Sequence, residues 1–524
     1  MFASVPSAVI LGAEGQAVSV EVHVGKGLPG FHMVGLPDES VRESRDRVRA
    51  AVMSCGASWP DVKVTVNLAP SQHRKSGSGL DLAIALGVLA ADEQIPIESL
   101  RGCAFIGELG LDGTVRPVTG VAPMVGALAD PGRPDGVDVV VVPVANAHEA
   151  SVVSSGRVRP AGDLAEVIAV HRDLAPWPDH DIPAPVPDDA PIPDLADVQG
   201  QPLARGALEI AAAGGHHCLF VGPPGAGKTM LASRLPGLLP ELDRDSALEV
   251  TMIHSAAGIE LPAAGLVTRP PFRAPHHTSS EVSIVGGGSR GLRPGEISIA
   301  HCGVLFMDEL PEFAPKVIQT IRQPIEEGVV RVARAAAHAT IPARFQLVAA
   351  MNPCPCGGGA RPGECACGEH RVERYAGRVS GPLLDRLDLR VRVERPSVDD
   401  LLDTRPGERT EVVARRVAAV RSGSVRRQGA LNAQLSARDL DELAPLTSGA
   451  RTLLRAEIEA ERLSARGYHR VRRVARTIAD LAVATADASA GGSVEEATSI
   501  DEATVALALE MRTSLRRRRP RWVA

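Results

Sequence analysis

The stretch HHCLFVGPPGAGKTMLASRL, His216 to Leu235, carries the strongest structural signal in the chain. An apolar run ends at a glycine, a short Gly-rich segment follows, and a helical pattern begins at Lys228. The segment Gly222–Thr229 has the spacing G-x-x-x-x-G-K-[ST], in which backbone N–H groups surround phosphate oxygens, the lysine neutralises charge and the hydroxyl ligates Mg²⁺. The stretch therefore predicts a strand, a phosphate-binding loop and a helix; a plain Gly-rich strand–helix turn is the alternative.

Two further apolar runs end in polar residues suited to the same chemistry. GVLFMDEL ends in Asp308 and Glu309, which parallel-sheet geometry would place at the ligand edge of the sheet. There Asp308 would hold Mg²⁺ through water and Glu309 would polarise the attacking water. FQLVAAMN ends in Asn352, which would hold that water or sense a terminal phosphate, or would simply begin a turn before Pro353.

A fourth motif, SGPLLDRLDLRVRV, places Arg386 between a helical segment and a final strand. A guanidinium here would reach the nucleotide of a neighbouring subunit. Spacing alone fits equally well a surface ion-pair cluster of Arg386 with Asp385 and Asp388.

Composition limits which classes of protein this chain can belong to. The 524 residues are too many for one core, and 44% hydrophobic with 23% charged residues is typical of globular domains. The net charge of −6 gives no global attraction to nucleic acid. No apolar run is long enough for a membrane span and no signal peptide is evident, so we expect a cytoplasmic protein with reduced or metal-bound cysteines.

The pattern along the chain predicts four segments. Residues 1–172 read as a mixed α/β domain, and 173–196 as a Pro-rich linker. Residues 197–397 alternate strands and helices, which predicts a parallel α/β core, and 398–524 read as a helical lid with a basic C-terminal tail. The tail is either a phosphate contact or a solubilising segment.

With these motifs in order, the chain resembles the YifB/ComM family of magnesium-chelatase-like AAA+ ATPases. Beyond the four motifs, the resemblance is carried by VQGQ (198–201), RPPFRAPHHTSSEVSIVGGG (269–288), RPGEISIAHCGVLFMDELPEF (293–313) and SARGYHRVRRVARTIADL (464–481).

The resemblance implies a homo-oligomeric ring, most often a hexamer, that hydrolyses ATP with Mg²⁺. Arg386 would then be an arginine finger acting with Lys228, Glu309 and Asn352, and Thr229 and Asp308 would hold the Mg²⁺. Gln199 and Gln201 would lie near the adenine, and either Arg466 or Arg473 would contact nucleotide from the lid. The remaining residues implied to bind nucleotide are those of the loop: Gly222, Pro223, Pro224, Gly225, Ala226, Gly227 and Met230.

Residues 1–172 resemble the Lon protease domain through VNLAPSQHRKSGSGLDLAIAL and GELGLDGTVRPVTGVAPM. Gly79 falls where Lon has its nucleophilic serine and Ala122 where it has its lysine, with Ser76 and Ser78 close by. Without nucleophile and base we expect no proteolysis.

Two arginine-bearing segments are candidates for DNA contact. SIVGGGSRGLRPGE carries Arg290 and Arg293, and EEGVVRVARAAAHATIPARF predicts a β-hairpin with Arg331, Arg334 and Arg344. Arginines without stacking aromatics favour backbone contact, although ordinary surface hairpins have the same composition. The resemblance implies a motor on branched or single-stranded DNA that promotes branch migration during recombination of incoming DNA. The alternative is a magnesium-chelatase-like ATPase that remodels a protein partner.

The stretch MNPCPCGGGARPGECACG packs Cys354, Cys356, Cys365 and Cys367 directly after Asn352. Two C-x-C pairs eight residues apart suit a tetrahedral S₄ site, for which Zn²⁺ is the expected metal. Unliganded thiols and a redox pair are the alternatives.

Overall fold

A computed structural model describes residues 1–71, 75, 77–130, 132, 136–154, 156–180, 182, 192–288, 292–334, 337–358, 365, 367–379, 381–397, 399, 407–490 and 499–512, with side chains left out at 333, 334, 337 and 487–490. Among these residues no helix combines the length and apolarity that crossing a bilayer requires.

The N-terminal part is built from Val-rich strands that alternate buried and outward residues, the pattern of half-buried sheets. Phe2–Leu11, Glu14–Gly25, Lys63–Ala69 and Gly30–Val34 form one sheet in that spatial order, and Cys103–Phe105, Val139–Pro143 and Val158–Ala161 form a second. A two-stranded ladder pairs Glu108–Leu109 with Val115–Arg116. The helices are Glu39–Ser54, Asp81–Ala91, Val121–Leu128, Ala147–Val153 and Leu164–His171. The helix Asp81–Ala91 is buried all round because it lies in the centre of this core.

The central part is a five-stranded sheet whose neighbouring strands are all parallel, as predicted. Its spatial order is Phe272–Arg273, Val304–Met307, Gln346–Met351, Cys218–Val221 and Leu389–Arg392. The first of these in sequence, Cys218–Val221, thus lies between the last two, and such a reversal opens a ligand crevice at the carboxyl edge.

Helices and small ladders surround this sheet. The helices are Pro202–Gly214, Lys228–Ala232, Leu235–Leu238, Arg244–Ala257, Glu281–Val285, Glu296–Ile299, Pro315–Thr320, Arg322–Glu327, Glu369–Gly377 and Gly381–Leu384. The hairpin predicted from the second arginine-bearing segment is present as Val329–Arg334 paired with Ala337–Pro342. Gly286–Gly287 pairs with Arg293–Pro294 in the first segment.

The C-terminal part is helical, as predicted, with helices Thr410–Gln428, Ala437–Leu443, Ser448–Glu459, Ala465–Ala490 and Glu502–Glu510. Its apolar faces join one face of the central sheet in a single buried cluster that includes Phe220, Val348 and Val474. The opposite face, with Leu219 and Leu347, packs against a different cluster. The strand period of two therefore turns one set of side chains toward the C-terminal helices and the alternate set toward the second cluster.

The N-terminal part touches both arginine-bearing segments through the turn between its first two strands. The N–H of Gly12 donates to the carbonyl of Leu292 (3.2 Å). Ala13 is buried with Ile341 of the hairpin and Ile253 of the helix Arg244–Ala257. The turn therefore supports the hairpin from outside the central part of the chain.

Candidate nucleotide-binding site

The phosphate-loop prediction corresponds to a turn between the strand Cys218–Val221 and the helix Lys228–Ala232. A Cβ at Gly222 would lie 2.1 Å from the carbonyl oxygen of Val393, so only glycine fits there. The Lys228 ammonium donates to the carbonyls of Gly222 (2.8 Å) and Pro223 (3.0 Å) and to Oδ1 of Asn352 (3.1 Å). Burial lowers the pKa of Lys228, against the opposing attraction of Asp308 and Glu309. The structure thus holds this cation at the carboxyl edge, facing the loop that follows the neighbouring strand.

Two oxygen donors meet beside the lysine. The hydroxyl of Thr229 donates to Oδ2 of Asp308 (2.7 Å), and the other carboxylate oxygen accepts from the N–H of Glu309 (2.8 Å). A hydroxyl and a carboxylate are hard oxygen ligands of the kind that hold Mg²⁺ together with phosphate oxygens. The pair therefore fits the predicted magnesium site.

Glu309 follows Asp308 in the left-handed conformation, with φ of 49°. Its carboxylate is 51% exposed and lies 3.4 Å from Nδ1 of His277. A half-exposed carboxylate next to a metal position is placed to activate water, and the histidine restricts where it points.

Asn352 has neighbours on two sides. Its side chain accepts from Lys228, and its backbone N–H faces the phenol oxygen of Tyr375 on the helix Glu369–Gly377, an interaction that lowers the pKa of the phenol. Burial is the main cause that raises the pKa of Tyr375 to about 12, so the phenol stays protonated. The sequence pattern identified the asparagine but not the tyrosine.

A cavity of about 500 Å³ opens at the start of the helix Pro202–Gly214. Its walls include Leu195, Val198 and Val413 together with the predicted Gln199. Arg205, Glu209 and Glu408 also line it, so the walls mix charged and apolar groups. The side chain of Gln201 joins this region to the loop by donating to the carbonyl of Ala226 (2.7 Å). Its buried Oε1 has no hydrogen-bond partner among the described residues.

The remaining loop residues surround the same turn. Pro224 accepts from Nε of Arg395 through its carbonyl (3.3 Å), Gly225 has a φ of 76°, and Met230 keeps an exposed side chain. These positions are compatible with their predicted role in nucleotide binding.

Arg386 lies away from this loop, in a different cavity of about 250 Å³. Its guanidinium pairs with Glu326 and donates to the carbonyl of Pro382 (2.6 Å), while its Nε has no partner within the described part of the chain. Arg466 and Arg473, the two lid candidates, line the same cavity with Arg470. The alternative ion pairs with Asp385 and Asp388 are not those that Arg386 makes; Asp388 instead accepts from Arg470 (2.6 Å).

The four cysteines come together as predicted. Cys354 and Cys356 have sulfurs 3.3 Å apart, and Cys365 lies 3.5 and 3.6 Å from them. All four sulfurs, including that of Cys367, lie within 4.8 Å of one another. The arrangement fits a four-thiolate site.

The segments predicted to contact DNA are only partly described. Arg290 lies outside the described residues, and Arg334 is described by its backbone alone. Arg293 and Arg331 are exposed, although Arg331 pairs with Glu327. Arg344 pairs with Glu249 (2.7 Å).

At the positions compared with Lon, the surroundings are those of a packed core. Ala122 is completely buried and its N–H donates to Glu149 (2.9 Å). Ser78 donates to Glu108, and Ser76 is outside the described residues. No lysine stands at either compared position.

Sequence reasoning missed His277, Tyr375 and Arg470. Arg470 had a usable signal, because Arg466, Arg470 and Arg473 are spaced i, i+4, i+7 on one helix face. His277 and Tyr375 reach the site across the fold, and neither has a local pattern that marks it.

Comparison with known families accounts for most of the chain. The model described as magnesium chelatase, subunit ChlI, matches residues 194–401. Models for subunit ChlI of Mg-chelatase and for the ChlI C-terminal region match residues 20–146 and 407–512.

Full-length relatives agree. The competence protein ComM of Haemophilus influenzae is 41% identical over 493 residues, covering 91% of this chain and 94% of ComM. The uncharacterized protein YifB of Escherichia coli is 42% identical over 476 residues (90% and 92%). An uncharacterized protein of Mycobacterium tuberculosis is 46% identical over 480 residues (91% and 94%). The phosphate loop, the acidic strand end and this similarity over nearly the whole chain establish that the protein belongs to the YifB/ComM family of magnesium-chelatase-like AAA+ ATPases.

Proposed function

We propose that the protein is a ring-forming ATPase, most simply a hexamer, that moves on branched or single-stranded DNA and drives branch migration. The observation that carries the ring is the separation of Arg386 from the phosphate loop. Its cavity holds four arginines from core and lid: Arg386, Arg466, Arg470 and Arg473. These four guanidinium groups outnumber the two carboxylates of the same cavity, Glu326 and Asp385. The excess positive charge suits a triphosphate, and a neighbouring subunit supplies one when Arg386 acts in trans.

Within one subunit, the described residues divide the work of hydrolysis. Lys228 and the loop N–H groups hold phosphate oxygens, and Thr229 and Asp308 hold the Mg²⁺, which neutralises charge on the phosphates. Glu309 accepts the proton of the attacking water, while Asn352 orients that water or the terminal phosphate. Gln199 and Gln201 contact the adenine.

DNA is the proposed substrate because the two arginine-bearing segments expose Arg293 and Arg331. Both segments also contact the same turn of the N-terminal part. The name of one relative, competence protein ComM, also points to incoming DNA. Exposed arginines without aromatic neighbours contact phosphates irrespective of sequence.

The test is ATP hydrolysis by the full chain with forked DNA, four-way junctions, single strands and no DNA. We expect stimulation by branched DNA, strongest at low salt, and loss of that stimulation in Arg293→Ala/Arg331→Ala with basal hydrolysis retained. Arg455→Ala is the matched control, because Arg455 is an exposed lid arginine. Hydrolysis that DNA leaves unchanged would favour the protein-remodelling alternative.

We also propose that Cys354, Cys356, Cys365 and Cys367 bind one Zn²⁺. Tetrahedral zinc with Zn–S bonds of about 2.3 Å separates its sulfurs by about 3.8 Å. The three measured separations, 3.3 to 3.6 Å, are close to that value.

A second group of potential ligands, Glu249, His301 and Cys302, is a poor candidate. Both ring nitrogens of His301 are already in use, one with Glu249 (2.9 Å) and one accepting from the N–H of Arg344 (3.0 Å).

A further inference from the structure

The cysteine loop touches the phosphate loop directly. Gly357, between the two cysteine pairs, has a φ of 78°, and a Cβ built on it would lie 2.7 Å from Cγ and Cδ of Pro224. The N–H of Gly357 donates to the carbonyl of Cys354 (3.0 Å), which closes a tight turn against the proline ring. The backbone of this turn is therefore in van der Waals contact with the loop that surrounds the phosphates.

The same segment also fixes the sensor residue. Asn352, bonded to Lys228, precedes Cys354 by two residues, and Cys354 is 1% exposed whereas Cys356 is exposed. One short stretch thus carries the asparagine, two of the four thiols and the contact with Pro224. A change that orders or releases the thiols therefore affects both contacts with the phosphate loop, that of Asn352 with Lys228 and that of Gly357 with Pro224.

We propose that metal bound by the four cysteines holds Gly357 against Pro224 and Asn352 against Lys228, so that nucleotide affinity depends on metal occupancy. The inference rests on the proposed zinc site and on the nucleotide site of the preceding subsection. Ordering a Gly-rich segment costs much conformational entropy. A metal that joins the two cysteine pairs removes most of this cost before nucleotide binds.

The first experiment separates metal from nucleotide. Full-length protein without a His-tag is assayed for zinc per chain by mass spectrometry and for the affinity of a fluorescent ADP, together with the Cys356→Ser and Cys103→Ser variants. Cys103 lies in the N-terminal sheet and is the matched control. We expect about one zinc per chain in the wild type and Cys103→Ser. We expect less zinc and about five- to tenfold weaker ADP binding in Cys356→Ser. Replacement of zinc by Co²⁺ should give the thiolate-to-metal absorption of a tetrahedral S₄ centre.

The second experiment tests the contact without removing a ligand. Gly357→Ala keeps all four thiols but places a methyl group against Pro224, so ADP affinity should fall while zinc stays at one per chain. Gly429→Ala is the control, since Gly429 has a similar φ of 71° but no atom within 4 Å of a built Cβ. Thermal melting of both variants separates general strain from a local effect.

The outcomes are distinct. Wild-type protein with negligible zinc, or with cysteines that are oxidised in place of metal-bound, overturns the metal site. Full zinc loss with unchanged ADP affinity overturns the coupling alone. Wild-type protein that binds zinc but no ADP overturns the nucleotide site and leaves the metal site standing.

Discussion

Nδ1 of His277 lies 3.4 Å from the carboxylate of Glu309, and the imidazole is edge-on to Phe313 with 6.4 Å between ring centroids. Phe313 is buried, and the ring of His276 also packs against this imidazole with 4.1 Å between centroids, so two rings and one carboxylate contact it. Glu309 is otherwise half exposed and free to rotate. We therefore expect the histidine to limit the rotamers of the carboxylate that we propose activates water.

The first prediction concerns this contact. His277→Ala should lower kcat for ATP about three- to tenfold, because a freely rotating carboxylate spends less time in the reactive position. His277→Asn, which keeps a polar atom at the Nδ1 position, should recover part of the rate. Nucleotide affinity, measured with fluorescent ADP, should be unchanged in both. A higher kcat in His277→Ala would mean that the contact restrains Glu309 from reacting.

The second prediction separates binding from chemistry. Lys228→Ala removes the cation that faces the phosphates and should abolish detectable ATP binding. Glu309→Gln keeps the size of the side chain but cannot take a proton, so it should bind ATP normally and hydrolyse it at least about a hundredfold more slowly. Filter binding and single-turnover hydrolysis measure the two effects. Normal turnover in Glu309→Gln would assign the role of base to another group.

The third prediction tests action between subunits. Arg386→Ala should retain ATP but lose about a thousandfold or more in hydrolysis, because the transition-state charge lacks its counter-charge. Mixing it with Glu309→Gln subunits should restore part of the activity. The active interfaces are those in which the Arg386→Ala subunit supplies an intact Glu309 and the Glu309→Gln subunit supplies an intact Arg386. Arg470→Ala should also lose hydrolysis alone and recover part of it on mixing if the lid arginines serve the neighbour's nucleotide. Absence of restoration would place Arg386 in its own subunit's site.

How much of the structure can be predicted from the sequence depends on how far apart along the chain the residues of each feature lie. The phosphate loop, the acidic strand end and the hairpin are contiguous, so residue spacing and strand period were enough to predict them. Contacts that join segments far apart, such as Gly357 with Pro224 or His277 with Glu309, depend on how the sheet orders its strands. The lid arginines illustrate the difference: their helix was predicted, but only the packing of that helix against Arg386 shows which cavity they line.

The last prediction follows from a buried histidine behind the central sheet. Nδ1 of His217 accepts from the N–H of Leu347 (3.0 Å), an interaction that only the neutral ring makes. Burial lowers the pKa of His217 to about 4 from an ordinary value of 6.5; Arg470 and His216 lower it further, while Asp388 opposes the change. Between these two values the unfolded chain binds a proton that the folded chain does not. The contribution of His217 to the free energy of unfolding is therefore fully present above about pH 6.5 and decreases as the pH drops toward 4.

At pH 5 the loss amounts to about 2 kcal/mol. Hydrogen exchange of the peptide that contains Gln346–Met351, corrected for intrinsic rates, should show this decrease in opening free energy between pH 7 and pH 5. In His217→Asn, whose Oδ1 can accept from Leu347 without titrating, the decrease should be smaller by the same amount. The other buried histidines are common to both proteins and cancel in the comparison. Equal pH dependence in the two proteins would show that His217 does not titrate in this range.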